Sequence, residues 1–205
     1  DELKVAEDTI VMFSSDNGGL SYGARGKTPR NTGRNTHCWP LKAGKGSAYE
    51  GGTRVPMIVS WARTNAANPR QKKIPIAAAS ICDAPNICED YYPTLCNWAG
   101  ISDLLAGRED VDGRDLTGDV TGEPPKITPP LLFHYPHVWG PRGPGYEPHS
   151  SIRFGDWKAI YFYQPQRWEL YNLKDDLGEA KNLASTSPER LKELSDRMKI
   201  EHDRR

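Results

Sequence analysis

The sequence predicts an α/β fold: a mainly parallel sheet sandwiched by helices, then a small antiparallel sheet with one helix packed on it. Three observations lead there. Residues 9–13 (TIVMF) and 55–61 (VPMIVSW) are short apolar runs rich in β-branched residues, the pattern of strands covered on both faces, as in parallel sheets. From residue 131 onward the apolar runs change in kind. LLFHYPHV, SIRFGDWKAIYFY and RWELYNL are aromatic and alternating, with a Gly155-Asp156 turn signal, which reads as an antiparallel meander. Last, residues 187–203 place Pro188 after Ser187 and space Leu191, Leu194 and Met198 at helical intervals, predicting a helix that lies across that meander.

Taken in order, the charged segment DELKVAED at residues 1–8 has no signal-peptide character and feeds straight into the first strand. An α/β domain usually opens with a further strand and helix, so a fragment of a longer protein is expected. Residues 14–54 are dense in Gly, Arg, Lys, Asn and Thr. A connection that long between two strands points to a functional loop. In residues 83–101 (DAPNICEDYYPTLCNWAGI), Asp90, Tyr91, Leu95 and Trp98 recur at helical spacing and Gly100 supplies a stop. The polar, Gly/Pro-rich stretch 103–130 reads as a linker or surface excursion. Two domains are expected, 1–104 and 105–205, the second being the antiparallel one.

Composition limits the function classes. The chain has 205 residues, 37% of them hydrophobic, with 27 Lys+Arg against 27 Asp+Glu, enough for one large or two small domains. The charge balance and the lack of a basic stripe argue against nucleic acid or an anionic membrane as partner. No apolar run approaches the roughly 20 residues of a membrane span. Four cysteines, Cys38, Cys82, Cys88 and Cys96, form no C-x-x-C pair, which argues against zinc and against a disulfide scaffold. Free thiols or a single bridge such as Cys82 to Cys88 remain.

The chemistry is concentrated after the first strand. SSDNGG, residues 14–19, puts Asp16 and Asn17 at a strand's carboxyl end, where α/β sheets bind ligands. An anionic oxygen beside a neutral carbonyl oxygen suits a hard cation, Ca²⁺ or Mg²⁺; Asn-Gly is equally a common turn dipeptide. The second motif is GKGSAYEGGTRVP, residues 44–56. It closely resembles the signature of the type I sulfatases, the arylsulfatase family of the alkaline-phosphatase-like superfamily. SSDNGG resembles that family's metal motif, CEDYYPTLCNWAGI its D-x-x-P-T helix, and IRFGDWKAI with WELYNLKDDLGEAKNLA its C-terminal subdomain. The resemblance runs nearly the whole length, in order, and identifies the chain as the C-terminal portion of such an enzyme.

The resemblance implies roles. Asp16 and Asn17 match ligands of Ca²⁺, with Mg²⁺ as the alternative, and Lys45 matches the catalytic lysine that holds the substrate's sulfate. An ammonium beside a divalent cation stabilises charge gathering on sulfate oxygens. Glu50 and Arg54 read as a structural ion pair or hydrogen-bond network that braces the loop, in preference to direct substrate contact. The family's nucleophile is a formylglycine made from Cys or Ser in a C-x-P-S-R type motif. CWPLK, residues 38–42, has Leu41 for the serine and Lys42 for the arginine and follows the metal motif instead of preceding it, so Cys38 is an ordinary loop cysteine. The formylglycine is therefore expected outside this chain, in a missing N-terminal portion of the catalytic domain, and the isolated chain is expected to be inactive. In FHYPHVWGPRGPGYEPHSSIR, His137 and Arg142 are the favoured substrate-binding candidates; His134, His149 and Tyr146 have no assigned role. The implied function is hydrolysis of a sulfated small molecule or glycan by a secreted or periplasmic enzyme. The alternatives are a phosphatase or phosphonate hydrolase of the same superfamily, and a non-catalytic carbohydrate-binding fragment.

Overall fold

The computed structural model describes residues 2–20, 38–138 and 145–203. Arg142 lies outside the described residues. Contacts group the chain into two compact units, each made of two segments: Asp1–Ser14 with Met57–Thr128, and Ser15–Pro56 with Pro129–Arg205.

In the first unit, β1 (Ile10–Ser14) and β2 (Met57–Trp61) pair antiparallel, with Ile10 opposite Trp61 and Ser14 opposite Met57. The two strands predicted for a mainly parallel sheet are thus antiparallel neighbours of each other. An apolar run reports that both faces avoid water and carries no information on the direction of the neighbouring strand. Burial alternates along each strand, and Val11, Phe13 and Ile58 are 51%, 55% and 60% exposed. Trp61 is buried and donates its indole N–H to Ile74 O at 3.0 Å.

A short helix α1 (Glu50–Thr53) belongs to the second unit. α2 (Pro69–Lys73) follows β2 and starts at Asn68, whose side chain accepts from the backbone of Arg70 and Gln71, with Pro at the start of the helix where no N–H is needed. The helix foreseen in residues 83–101 is α3 (Tyr91–Ala99), stopping at Gly100. The stretch expected as a linker is instead anchored to it. Asp90 accepts from Ile87 N and Arg114 N, while Thr94 Oγ1 donates to Asp90 O and accepts from Leu116 N at 2.9 Å. Leu116 is only 1% exposed and leads into α4 (Thr117–Thr121). These anchors are hydroxyl, carboxylate and backbone groups, which leave no hydrophobic periodicity to read. All four cysteines are free, so the Cys82 to Cys88 bridge is not formed.

The second unit contains the predicted meander: β3 (Leu131–Tyr135), β4 (His149–Phe154), β5 (Trp157–Phe162) and β6 (Arg167–Asn172), antiparallel in that order, with α5 (Pro188–Asp203) after them. The period of two sorts the sheet into two faces. Ile152, Ala159 and Leu170 pack with Leu194, Leu191 and Met198 of α5. On the other face Ile160, Phe162 and Tyr171 pack with Ala48 and Tyr49 of the long loop. That face also buries charge. Lys158 is 0% and Glu169 8% exposed.

His149 on this face is buried, and its Nδ1 meets Glu147 O at 2.8 Å, which fixes the Nδ1–H tautomer. Burial lowers its pKa below the ordinary 6.5. The unfolded chain therefore binds a proton that the folded one refuses, and stability falls as pH drops through 6.5 toward the folded-state value. Within that window the loss approaches about 1.4 kcal/mol per pH unit. Melting temperatures measured from pH 7.5 to 5 should fall more steeply for the native protein than for His149→Asn, which has no imidazole to protonate. Parallel curves would remove His149 as the cause.

Among the described residues no helix is long and apolar enough to cross a membrane.

Candidate active site

The long loop carries Asp16, Asn17 and Lys45, and backbone hydrogen bonds bring the two motifs together. Lys45 N–H donates to Gly19 O at 2.9 Å, and Gly18 N–H donates to Gly52 O at 3.0 Å. Lys45 occupies the first central position of a turn closed by Ser47 N to Gly44 O at 3.0 Å. Gly46, next along, has φ of 84°, the left-handed conformation that such a turn demands and that glycine adopts without strain. Gly18 is required for a different reason. A Cβ there would stand 1.7 Å from Gly51 O, so only a bare backbone lets the turn with Asp16 and Asn17 dock against α1.

α1 forms despite a sequence, Glu-Gly-Gly-Thr, of poor helix propensity. Each donor of its first turn has a partner. Glu50 N–H donates to Glu179 Oε2 at 2.7 Å, Gly51 N–H to Lys42 O at 2.9 Å, and Gly52 and Thr53 N–H to Tyr49 O. The N–H groups of Glu50 and Gly51 are among those a helix start leaves unsatisfied. Here tertiary contacts replace local propensity.

Asp16 is exposed and Asn17 partly buried. Asn17 Nδ2 donates to Gly18 O at 3.0 Å, which leaves Oδ1 as the end of the amide that a cation can use. The donor chemistry fits a hard divalent ion. The number does not complete one: Ca²⁺ takes roughly six to eight oxygens, and among the described residues no group of three or more His, Cys, Asp or Glu side chains is gathered for a metal.

Glu50 is 2% exposed. Its Oε2 accepts from Arg54 Nε at 2.7 Å, the expected brace, and its Oε1 accepts from Lys158 Nζ at 2.9 Å. Burial alone would raise its carboxyl, but Lys158, Arg54 and Arg153 together hold it below the usual range. Beside it Lys42 Nζ lies 3.8 Å over the Tyr49 ring and donates to Glu179 O at 2.9 Å. Tyr49 and Tyr171 both donate to Glu169 Oε2, at 2.9 and 2.7 Å. Sequence reasoning missed Lys158, Glu179 and Glu169. The signal was present for one: in WKAIYF, Lys158 shares a face with Ile160 and Phe162, an inward register that a lysine occupies only when paired.

His137 is exposed beyond β3, its ring edge-on to Tyr135 at 5.9 Å; Tyr135 in turn lies 5.9 Å from the His149 ring. The returning limb of that loop reaches the long loop, for Gly145 O accepts from Ala48 N at 2.8 Å. His134 is on the α5 side of the sheet, with Nδ1 2.6 Å from Ser150 Oγ.

Fold and motifs place the chain in the alkaline-phosphatase-like class. Within that class the chain belongs to the sulfatase family, whose model matches residues 1–101. A sulfatase of Formosa agariphila is 31% identical over 195 residues, covering 90% of this chain and 30% of that protein. The mouse steryl-sulfatase is 32% identical over 79% of this chain and 23% of its own length. The crystal structure of Ps i-CgsB in complex with k-i-k-neocarrahexaose superposes with a TM-score of 0.69 at 26% identity, covering 97% of this chain and 37% of that one. The chain thus spans about a third or less of these curated relatives.

Proposed function

We propose that the full-length protein containing this chain hydrolyses sulfate monoesters, with a sulfated carbohydrate as substrate. The observation that carries the reading is the hydrogen bond from Lys45 N–H to Gly19 O, which fastens the candidate sulfate-holding turn to the candidate metal-holding one. In this reading Lys45 holds the sulfate and draws charge from its oxygens as the ester bond breaks. Asp16 and Asn17 hold Ca²⁺, with Mg²⁺ as the alternative. The cation supplies positive charge beside the sulfate, and the formylglycine nucleophile comes from outside this chain. His137 and Arg142 contribute to the substrate subsite; the neocarrahexaose bound by Ps i-CgsB supports a glycan.

The same reading assigns residues 1–104 to the catalytic α/β domain and 105–205 to a C-terminal subdomain. The match of the family model to residues 1–101 supports that boundary. An N-terminal portion of the catalytic domain would complete a mainly parallel sheet and cover the apolar face bearing Val11, Phe13 and Ile58. Secretion or a periplasmic location belongs to the same proposal.

Assay of the full-length protein on 4-nitrophenyl sulfate and 4-nitrophenyl phosphate tests it. Sulfate turnover should dominate. Preference for the phosphate would put a phosphatase or phosphonate hydrolase in its place, and glycan binding without turnover of either would leave a carbohydrate-binding role. Asp16→Ala should weaken Ca²⁺ binding on the order of a hundredfold, since it deletes an anionic ligand, and excess Ca²⁺ should recover part of the rate. Unchanged calcium titrations would remove Asp16 from the metal site.

A further inference from the structure

Around Glu50 lies a buried charge cluster that the proposed chemistry does not use. Lys158, in β5, is fully buried, as is Glu179 in the loop after β6. Lys158 Nζ reaches Glu50 Oε1 at 2.9 Å and makes an ion-pair contact with Glu179 Oε1 at 3.1 Å. Glu179 turns its other oxygen to the Glu50 N–H, and Arg153 stands 3.8 Å from Glu50 on the far side. From Glu50 the connection runs on through backbone: Gly51 N to Lys42 O, Gly18 N to Gly52 O, and Lys45 N to Gly19 O.

We propose that Lys158 and Glu179 are positioning residues for sulfate binding, setting through α1 where Lys45 and the Asp16-Asn17 pair stand. This rests on the reading of Lys45 as the sulfate-holding residue. A surface lysine could not do this work. Lys158 can because it has no water to turn to: one carboxylate partner opens α1 and the other lies in the loop after β6, and a shift of either leaves buried charge uncompensated. Glu179 adds direction, because one carboxylate oxygen meets the cation while the other accepts the first helical N–H. Substrate affinity and rate thereby depend on groups that touch no substrate. Errors near 1 Å at a charged site are costly, up to about a hundredfold in rate.

The test uses the full-length enzyme, with inorganic sulfate as competitive inhibitor and 4-nitrophenyl sulfate as substrate. Near-UV circular dichroism at the assay temperature confirms that each variant is folded. Lys158→Met should lower kcat and weaken sulfate inhibition, each by about tenfold or more, and Lys158→Arg, which keeps the charge but is larger in a fully buried site, should recover part of both. A double variant, Lys45→Ala with Lys158→Met, should lose less than the product of the two single losses, since part of the Lys158 effect runs through Lys45. Should Lys158→Met not fold, Glu179→Gln decides, as it keeps an oxygen for the Glu50 N–H; a several-fold loss of both quantities is expected. Folded variants with native kcat and sulfate inhibition, or losses that multiply in the double variant, overturn the inference alone. A Lys45→Ala enzyme with native sulfate inhibition overturns the reading of the site and this inference with it.

Discussion

If the proposed function holds, Lys45→Ala in the full-length protein should lower kcat/KM by about a hundred- to a thousandfold, the usual cost of one preorganised charge donor, or about 2.7–4 kcal/mol. The turn should persist. Lys45 sits at the tip of a turn between Gly44 and Gly46, and the turn's own hydrogen bonds are made by backbone. Lys45→Arg should restore only part of the rate, because a planar guanidinium does not place its charge where the ammonium stood. Glu50→Ala should lower both melting temperature and rate, since it also cuts the link from Lys158 to α1. It removes the partner of Arg54 and Lys158, strands buried charge, and should cost about 3–5 kcal/mol of stability. Melting temperature and kcat/KM measured for all three variants settle the matter, and a Lys45→Ala enzyme within threefold of native would end the sulfate-holding assignment.

Gly18→Ala is the second large effect, and it is steric. The new methyl carbon would meet Gly51 O at 1.7 Å, Gly51 C at 2.7 Å and Gly52 Cα at 3.0 Å. All three are backbone, so no side chain can swing aside. The turn must separate from α1, breaking Gly18 N–H to Gly52 O and displacing Asp16 and Asn17. A loss of about 1–3 kcal/mol or more is expected, together with lower calcium affinity and rate. Gly107→Ala is the control. It has φ of 74° and open space around it, so it should cost only the conformational penalty, about 1–2 kcal/mol, and leave calcium binding alone. Equal calcium affinity in the two variants would mean that the turn does not depend on this close approach.

The antiparallel meander was legible because alternation and aromatic runs report directly on a sheet with two different faces. So was α5, from Pro188 and the spacing of Leu191, Leu194 and Met198. The direction of β1 against β2 was not, since side-chain pattern says nothing about strand polarity. Residues 103–130 misled for another reason: Thr94, Asp90 and Leu116 hold them by hydrogen bonds, and hydrogen-bonded anchors look like surface in a sequence. In the candidate site the motif residues stood out, because unusual chemistry at short spacing is visible in one dimension. Lys158 and Glu179 did not, as their partner Glu50 lies 108 and 129 residues away.

That separation bears on how relatives of this chain can be recombined. A chimaera joined anywhere between residues 56 and 149 takes the Lys45 loop from one parent and β5, with its buried lysine, from the other. The buried charges at 50, 158 and 179 then come from two parents, although every family motif is intact. Functional hybrids should be those whose parents carry the same residues at 50, 158 and 179, and a graft of the loop alone should need the two distant residues moved along with it.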